Sequence, residues 1–149
     1  MGKLYIAYGS NLNLHQMAFR CPSASIYAKG ILMNWELLFR GTKGNAHATI
    51  KRKKGASVPV LVWEIQPEDE DRLDLYEGYP KYYYKKNIMV ESRGKKKKAM
   101  VYIMDESRAP GAPSAQYVHI ITQGYLDNGF DTEILADCLR VNAVECSHL

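Results

Sequence analysis

Residues Lys3 to Tyr8 bring tyrosines, an isoleucine and an alanine together with little charge, and Gly9-Ser10-Asn11 then breaks the run. This pattern predicts a buried strand entering a tight turn. Leu12 to Phe19 has the spacing for one or two helical turns, which must stop at Cys21-Pro22 because a residue preceding proline is pushed away from helix. Strand signals follow at Ser25 to Leu32, Trp35 to Phe39, Ala46 to Ile50 and Val58 to Ile65, punctuated by Gly30, Gly41, Gly44 and Gly55.

Pro67 occupies a natural first helical position, and Glu68, Asp69 and Glu70 place negative charge at the positive end of the helix dipole. A helix is predicted from there to Tyr76, ended by Gly78-Tyr79-Pro80. Two further strands, Tyr82 to Glu91 and Lys98 to Met104, flank a basic turn. After a loop at Pro110 to Pro113, Ser114 caps a helix to Asn128-Gly129, and Thr132 caps a last one to about Val141.

Many short strands, one helix among them and two helices at the end define an α+β fold. Most connections are too short for a crossover helix, so antiparallel neighbours are favoured. So many strands within 149 residues call for a strongly curved or closed sheet, in one domain spanning 1–149.

Composition narrows the function. No run reaches the roughly 18 apolar residues of a membrane helix, and no secretory signal layout opens the chain, so a cytoplasmic protein with no membrane partner is expected. Cys21, Cys138 and Cys146 lack paired spacing, and His15, His47, His119 and His148 are scattered, so reduced thiols and no metal site are expected. The net charge of +4 is concentrated at Lys51 to Lys54 and Arg93 to Lys98. Beside glycines, these clusters read as solvated hairpin turns whose lysines discourage edge aggregation. Nucleic-acid binding through them is kept as a lesser alternative, since no interleaved aromatic or groove-sized helix accompanies them.

Two segments carry candidate chemistry. In Tyr5-Ile6-Ala7-Tyr8-Gly9-Ser10-Asn11, the glycine permits close backbone approach, and successive amide N–H groups in such a turn form a concavity for a carboxylate or oxyanion. Read plainly, the same segment is a core strand with an ordinary turn. In Leu73-Asp74-Leu75-Tyr76-Glu77-Gly78-Tyr79, a helix end delivers one carboxylate among aromatics, with Tyr82, Tyr83 and Tyr84 close behind. Lost hydration moves the proton affinity of such a glutamate toward neutrality, where general acid and base work is most efficient.

These two segments, followed by Ala112-Pro113-Ser114-Ala115-Gln116-Tyr117, resemble in content and order the γ-glutamylcyclotransferases and their avirulence-induced-gene-like and butirosin-cyclotransferase-like relatives. The resemblance spans Leu4 to Gly129 and includes His47-Ala48-Thr49-Ile50 and Val60-Leu61-Val62-Trp63. It implies a curved, mixed, mainly antiparallel sheet closing into a barrel with a cavity, and cyclisation of a small-molecule γ-glutamyl compound to 5-oxoproline with release of an amine. Carried over by position, Glu77 is the catalytic acid and base. Tyr5, Ile6, Ala7, Tyr8, Gly9 and Ser10 form the substrate cradle, which Asn11 extends, and Tyr84 and Tyr117 contact substrate. No metal or organic cofactor is required. The leaving group, a homodimer, and a non-catalytic member of the same fold that binds a small ligand or a protein partner all stay open.

Overall fold

The computed structural model describes residues 2–148. Its centre is a closed barrel of β1 (Lys3–Ala7), β2 (Ser25–Arg40), β3 (His47–Ile65), β4 (Tyr83–Ser92) and β5 (Lys95–Met104). The staves are ordered β1-β3-β2-β4-β5. All neighbours are antiparallel except β1 and β5, which close the barrel in parallel with Tyr5 opposite Met100. The predicted α+β class and curved, mainly antiparallel sheet are therefore present.

The four strands expected between Ser25 and Ile65 are two long ones that bend rather than stop. At Gly30, an added Cβ would lie 2.9 Å from the Glu91 carbonyl oxygen and 2.9 Å from Val90 Cγ2, so the missing side chain lets β4 come close to β2. Near the middle, Asn34 (φ 67°) and Gly55 (φ 86°) form a facing irregularity with a register shift between Met33 and Trp35. The Asn34 side chain accepts the Gly55 N–H there at 3.0 Å. Such a bulge increases bend and twist without ending the ladder.

The basic clusters change accordingly. Lys51 to Lys54 lie exposed along β3 rather than in a turn, while Arg93 (φ 55°) and Gly94 (φ 72°) make the two-residue turn between β4 and β5. Two successive positive φ values match the twist of a tight hairpin.

Four helices flank the barrel: α1 (Leu14–Arg20), α2 (Pro67–Glu77), α3 (Ala115–Asn128) and α4 (Thr132–Cys146). A 3-10 turn at Ser10–Leu12 precedes α1. Helix α2 starts at a reciprocal cap between Gln66 and Asp69 with Pro67 at its first position, and stops at Gly78 in the left-handed conformation (φ 67°). Lys85 of β4 reaches Glu70 at 2.6 Å and Asp74 at 2.9 Å, tying α2 to the barrel wall. Ser114 caps α3 as expected, but Asp131 rather than Thr132 caps α4, and that helix runs past Val141 to Cys146. Among the described residues, no helix is long and apolar enough to cross a membrane.

Candidate active site

The barrel wall and the ends of α2 and α3 enclose a cavity of about 460 Å³, within the range of small-molecule sites. Its floor is the chain reversal after β1. Leu12 N–H donates to the Gly9 carbonyl at 3.0 Å and Asn13 N–H to Ser10 at 3.1 Å, which closes the 3-10 turn. The backbone N–H groups of Gly9, Ser10 and Asn11 have no acceptor among the described residues. At Gly9 a Cβ would lie 3.2 Å from Ala48 Cβ and 3.4 Å from the Tyr117 hydroxyl oxygen, so glycine lets the turn sit against β3 and α3.

The turn is braced from beneath. Trp63 Nε1 donates to the Asn11 carbonyl at 3.1 Å, and Asn128 Nδ2 donates to the Leu12 carbonyl at 2.9 Å. Asn11 Nδ2 donates to the Tyr5 hydroxyl at 2.8 Å, and Tyr8 donates its hydroxyl to the Tyr102 carbonyl at 2.7 Å. Each partner lies far away in sequence or on another element, so the turn is held in place before any ligand arrives.

Glu77 is the last residue of α2, and it lines the same cavity as the Gly9 to Asn11 turn. Its surroundings strip water from the carboxylate, and burial pushes its pKa up to about 7, against the opposing pull of Arg20. Burial first, then the Glu77 charge, holds the phenols of Tyr5 and Tyr8 well above their usual pKa. Tyr83 and Tyr117 are raised as well, again with burial as the main cause. All four therefore stay neutral hydroxyl groups at physiological pH. His47, packed edge-to-face on Tyr117 at 4.8 Å, is pushed below its usual pKa by burial.

Of the residues singled out from the sequence, Tyr5, Ile6, Tyr8, Gly9, Ser10, Asn11, Glu77 and Tyr117 line this cavity. Ala7 and Tyr84 do not. Ala7 is buried in the barrel wall. Tyr84 turns away and donates its hydroxyl to the Glu106 carboxylate, while Tyr83 lines the cavity in its place. Consecutive strand residues point to opposite faces, so only one of this pair can face inward. Tyr76 and Ala48, which the sequence motifs contain without a role, also line the cavity, and Arg20, which no motif contains, packs behind its wall. The aromatic flanks of Glu77 were a signal for Tyr76, whereas Arg20 touches the cavity-lining Ser10, Asn11 and Tyr76 only through the packing of α1.

Residues 5–124 match the family described as gamma-glutamyl cyclotransferase, AIG2-like. The chain is 30% identical over 142 residues to gamma-glutamylcyclotransferase of Homo sapiens, covering 87% of this chain and 73% of the relative. It is 31% identical over 151 residues to gamma-glutamylcyclotransferase of Bos taurus, covering 95% of this chain and 78% of that one. A solved structure named gamma-glutamyl cyclotransferase superposes with a TM-score of 0.83 at 28% identity, over 93% of this chain and 86% of its own. The chain belongs to the AIG2-like gamma-glutamyl cyclotransferase family, and it is an enzyme of the gamma-glutamylcyclotransferase type.

Proposed function

We propose that this enzyme cyclises a small γ-glutamyl compound to 5-oxoproline and a free amine, with Glu77 as general base and then general acid. The observation that carries the reading is a carboxyl group set in the same cavity as a turn whose N–H groups have no acceptor among the described residues, with burial pushing its pKa up to about 7. The glutamyl α-amine is protonated at neutral pH and cannot attack. Ionised Glu77 removes a proton, and the amine nitrogen then bonds to the γ-carbonyl carbon of its own molecule.

The carbonyl electron pair moves onto oxygen, and the N–H groups of the Gly9 to Asn11 turn receive the oxyanion. When the carbonyl re-forms, the bond from carbon to the leaving nitrogen breaks as Glu77 returns its proton to that nitrogen. The ionised Glu77 then takes the second proton from the ring nitrogen and passes it to the released amine, which departs as an ammonium ion and leaves neutral 5-oxoproline. Closing a five-membered ring is intramolecular, so a cavity that holds the glutamyl chain curled supplies much of the acceleration. Tyr5, Tyr8 and Tyr117 hold the glutamyl group in this reading. Tyr83, rather than Tyr84, is the tyrosine of its segment that meets substrate.

Incubation with a panel of γ-glutamyl amino acids, peptides and amines, with mass-spectrometric detection of 5-oxoproline, tests the proposal. Product is expected with at least one member and none after Glu77→Gln. Thermal stabilisation by these compounds with no product from any of them would identify a binding protein instead and overturn the reaction.

A further inference from the structure

Arg20 lies at the last turn of α1 and lines no part of the cavity wall, yet its guanidinium is the junction of the pieces that make the site. It stacks over the Tyr76 ring at 3.5 Å from the centroid. Its Nη1 donates to the Ser10 hydroxyl at 3.3 Å and to the Asn11 side-chain carbonyl, and its Nη2 donates to Gln16 Oε1 at 2.9 Å. The Ser10 and Tyr76 hydroxyls are themselves 3.3 Å apart. One planar cation thus grips the cradle turn with its edge and the residue before Glu77 with its face, while Gln16, one helical turn back, props it from behind.

We infer that Arg20 is a positioning residue: it locks the cradle turn to the end of α2 and, stacked on Tyr76, sets a positive charge beside the residue that precedes Glu77. The titratable and charged groups around Glu77 come from every packed element. They are Tyr5 of β1, Tyr8 just beyond it, Tyr83 of β4, Tyr117 of α3 and Arg20 of α1, with Arg40, His47 and Arg108 lining the same cavity. The phenols are neutral near pH 7, and among the cations Arg20 is the one whose charge lowers the Glu77 pKa. Its positive charge favours the ionised carboxylate, which opposes burial and holds the Glu77 pKa lower than burial alone would. A lysine would keep the charge but lose the planar fork and the stacked face.

The two functions separate by substitution. The rate arm rests on the proposed proton transfer by Glu77, so it is paired with a carbon-13 NMR titration of the Glu77 carboxyl, which needs no turnover. Arg20→Gln is expected to lower kcat/KM about tenfold and to move both the acid limb of its pH profile and the NMR midpoint upward by about half a pH unit or more. Arg20→Lys is expected to lower kcat/KM about fivefold with the limb and the midpoint close to those of the unsubstituted enzyme.

An Arg20→Gln midpoint that does not move would overturn the electrostatic part. An Arg20→Lys kcat/KM equal to that of the unsubstituted enzyme would overturn the geometric part, and this test stands even where Arg20→Gln does not fold. Absence of 5-oxoproline from the unsubstituted enzyme would count against the cyclisation reading alone. The Arg20→Gln midpoint, or the Arg20→Lys midpoint with thermal stabilisation by a γ-glutamyl compound, would still decide the role of Arg20.

Discussion

The Tyr83 hydroxyl donates to the carbonyl oxygen of Ala48 at 2.8 Å. On the same residue the N–H donates to the Tyr117 hydroxyl at 3.0 Å. A backbone carbonyl only accepts and an N–H only donates, so the two phenols are fixed in opposite senses. Tyr83 spends its hydrogen on Ala48 and shows lone pairs to the cavity. Tyr117 accepts from Ala48 and keeps its own hydrogen free to donate toward a ligand.

Tyr117→Phe is therefore expected to remove a donor from the cavity and leave the buried Ala48 N–H unpaired. A stability loss of about 1–3 kcal/mol follows in denaturant titration, together with a clear fall in kcat/KM. Tyr84→Phe loses only a contact to Glu106 outside the cavity and should keep kcat/KM within about twofold, since surface changes of this kind have small effects. A large activity loss from Tyr84→Phe would contradict the placement of these two side chains.

Glu77→Gln keeps size and hydrogen-bonding capacity but cannot carry a proton at neutral pH. A fall in turnover of about 100- to 10,000-fold is expected, the usual contribution of a general acid or base. The fold should persist, as judged by the melting transition, and γ-glutamyl compounds should still raise the melting temperature. Residual turnover within tenfold of the parent enzyme would remove Glu77 from the mechanism.

The raised pKa of Glu77 has two pH signatures. As the base must be ionised, kcat/KM should rise through an acid limb near pH 7. For stability the sign is opposite to that of a salt-bridged carboxylate. Below the ordinary value of 4.5 both folded and unfolded states hold the proton and there is no penalty. Between there and about 7 the unfolded chain has lost its proton while the folded one retains it, so stability falls as pH rises, and the full penalty persists above. Glu77→Gln removes this penalty, and its melting temperature relative to the parent should increase from pH 5 to pH 8.

Gly124 of α3 faces the underside of the cradle, where an added Cβ would meet Leu12 Cβ at 2.7 Å and the Asn13 backbone nitrogen at 2.8 Å. The second contact is with backbone, which cannot rotate away. Gly124→Ala is expected to cost about 1–3 kcal/mol through overpacking, and to raise KM by shifting the turn. Unchanged stability would show that α3 does not press on the cradle.

The parts of this molecule that were legible in the sequence are those set by local chemistry. Pro67 with its acidic neighbours opened α2, Gly78 ended it, and the aromatics around Glu77 marked its carboxyl as dehydrated. What escaped was decided by partners far along the chain. Gly30 and Gly55 read as breaks because a bulge and a close crossing use the same residue as a turn, and only the ladder opposite shows that the strand continues. The choice between Tyr83 and Tyr84 depends on the phase with which β4 leaves the reversal after Gly78, and both residues carry the same side chain. Arg20 gave no local signal, since its meaning comes from Ser10, Asn11 and Tyr76 arriving around it.

The parallel seam between β1 and β5 joins Tyr5 to Met100 across most of the chain, and the turn it leads into is braced by Trp63 and Asn128. No contiguous stretch holds the cavity by itself. Contacts of such sequence separation form late and together, because chain closure must be overcome before they stabilise anything. Catalytic competence should then be an all-or-none property of the closed barrel: along a denaturant series, loss of activity and loss of sheet signal should coincide, making turnover a reporter of global folding rather than of local loosening.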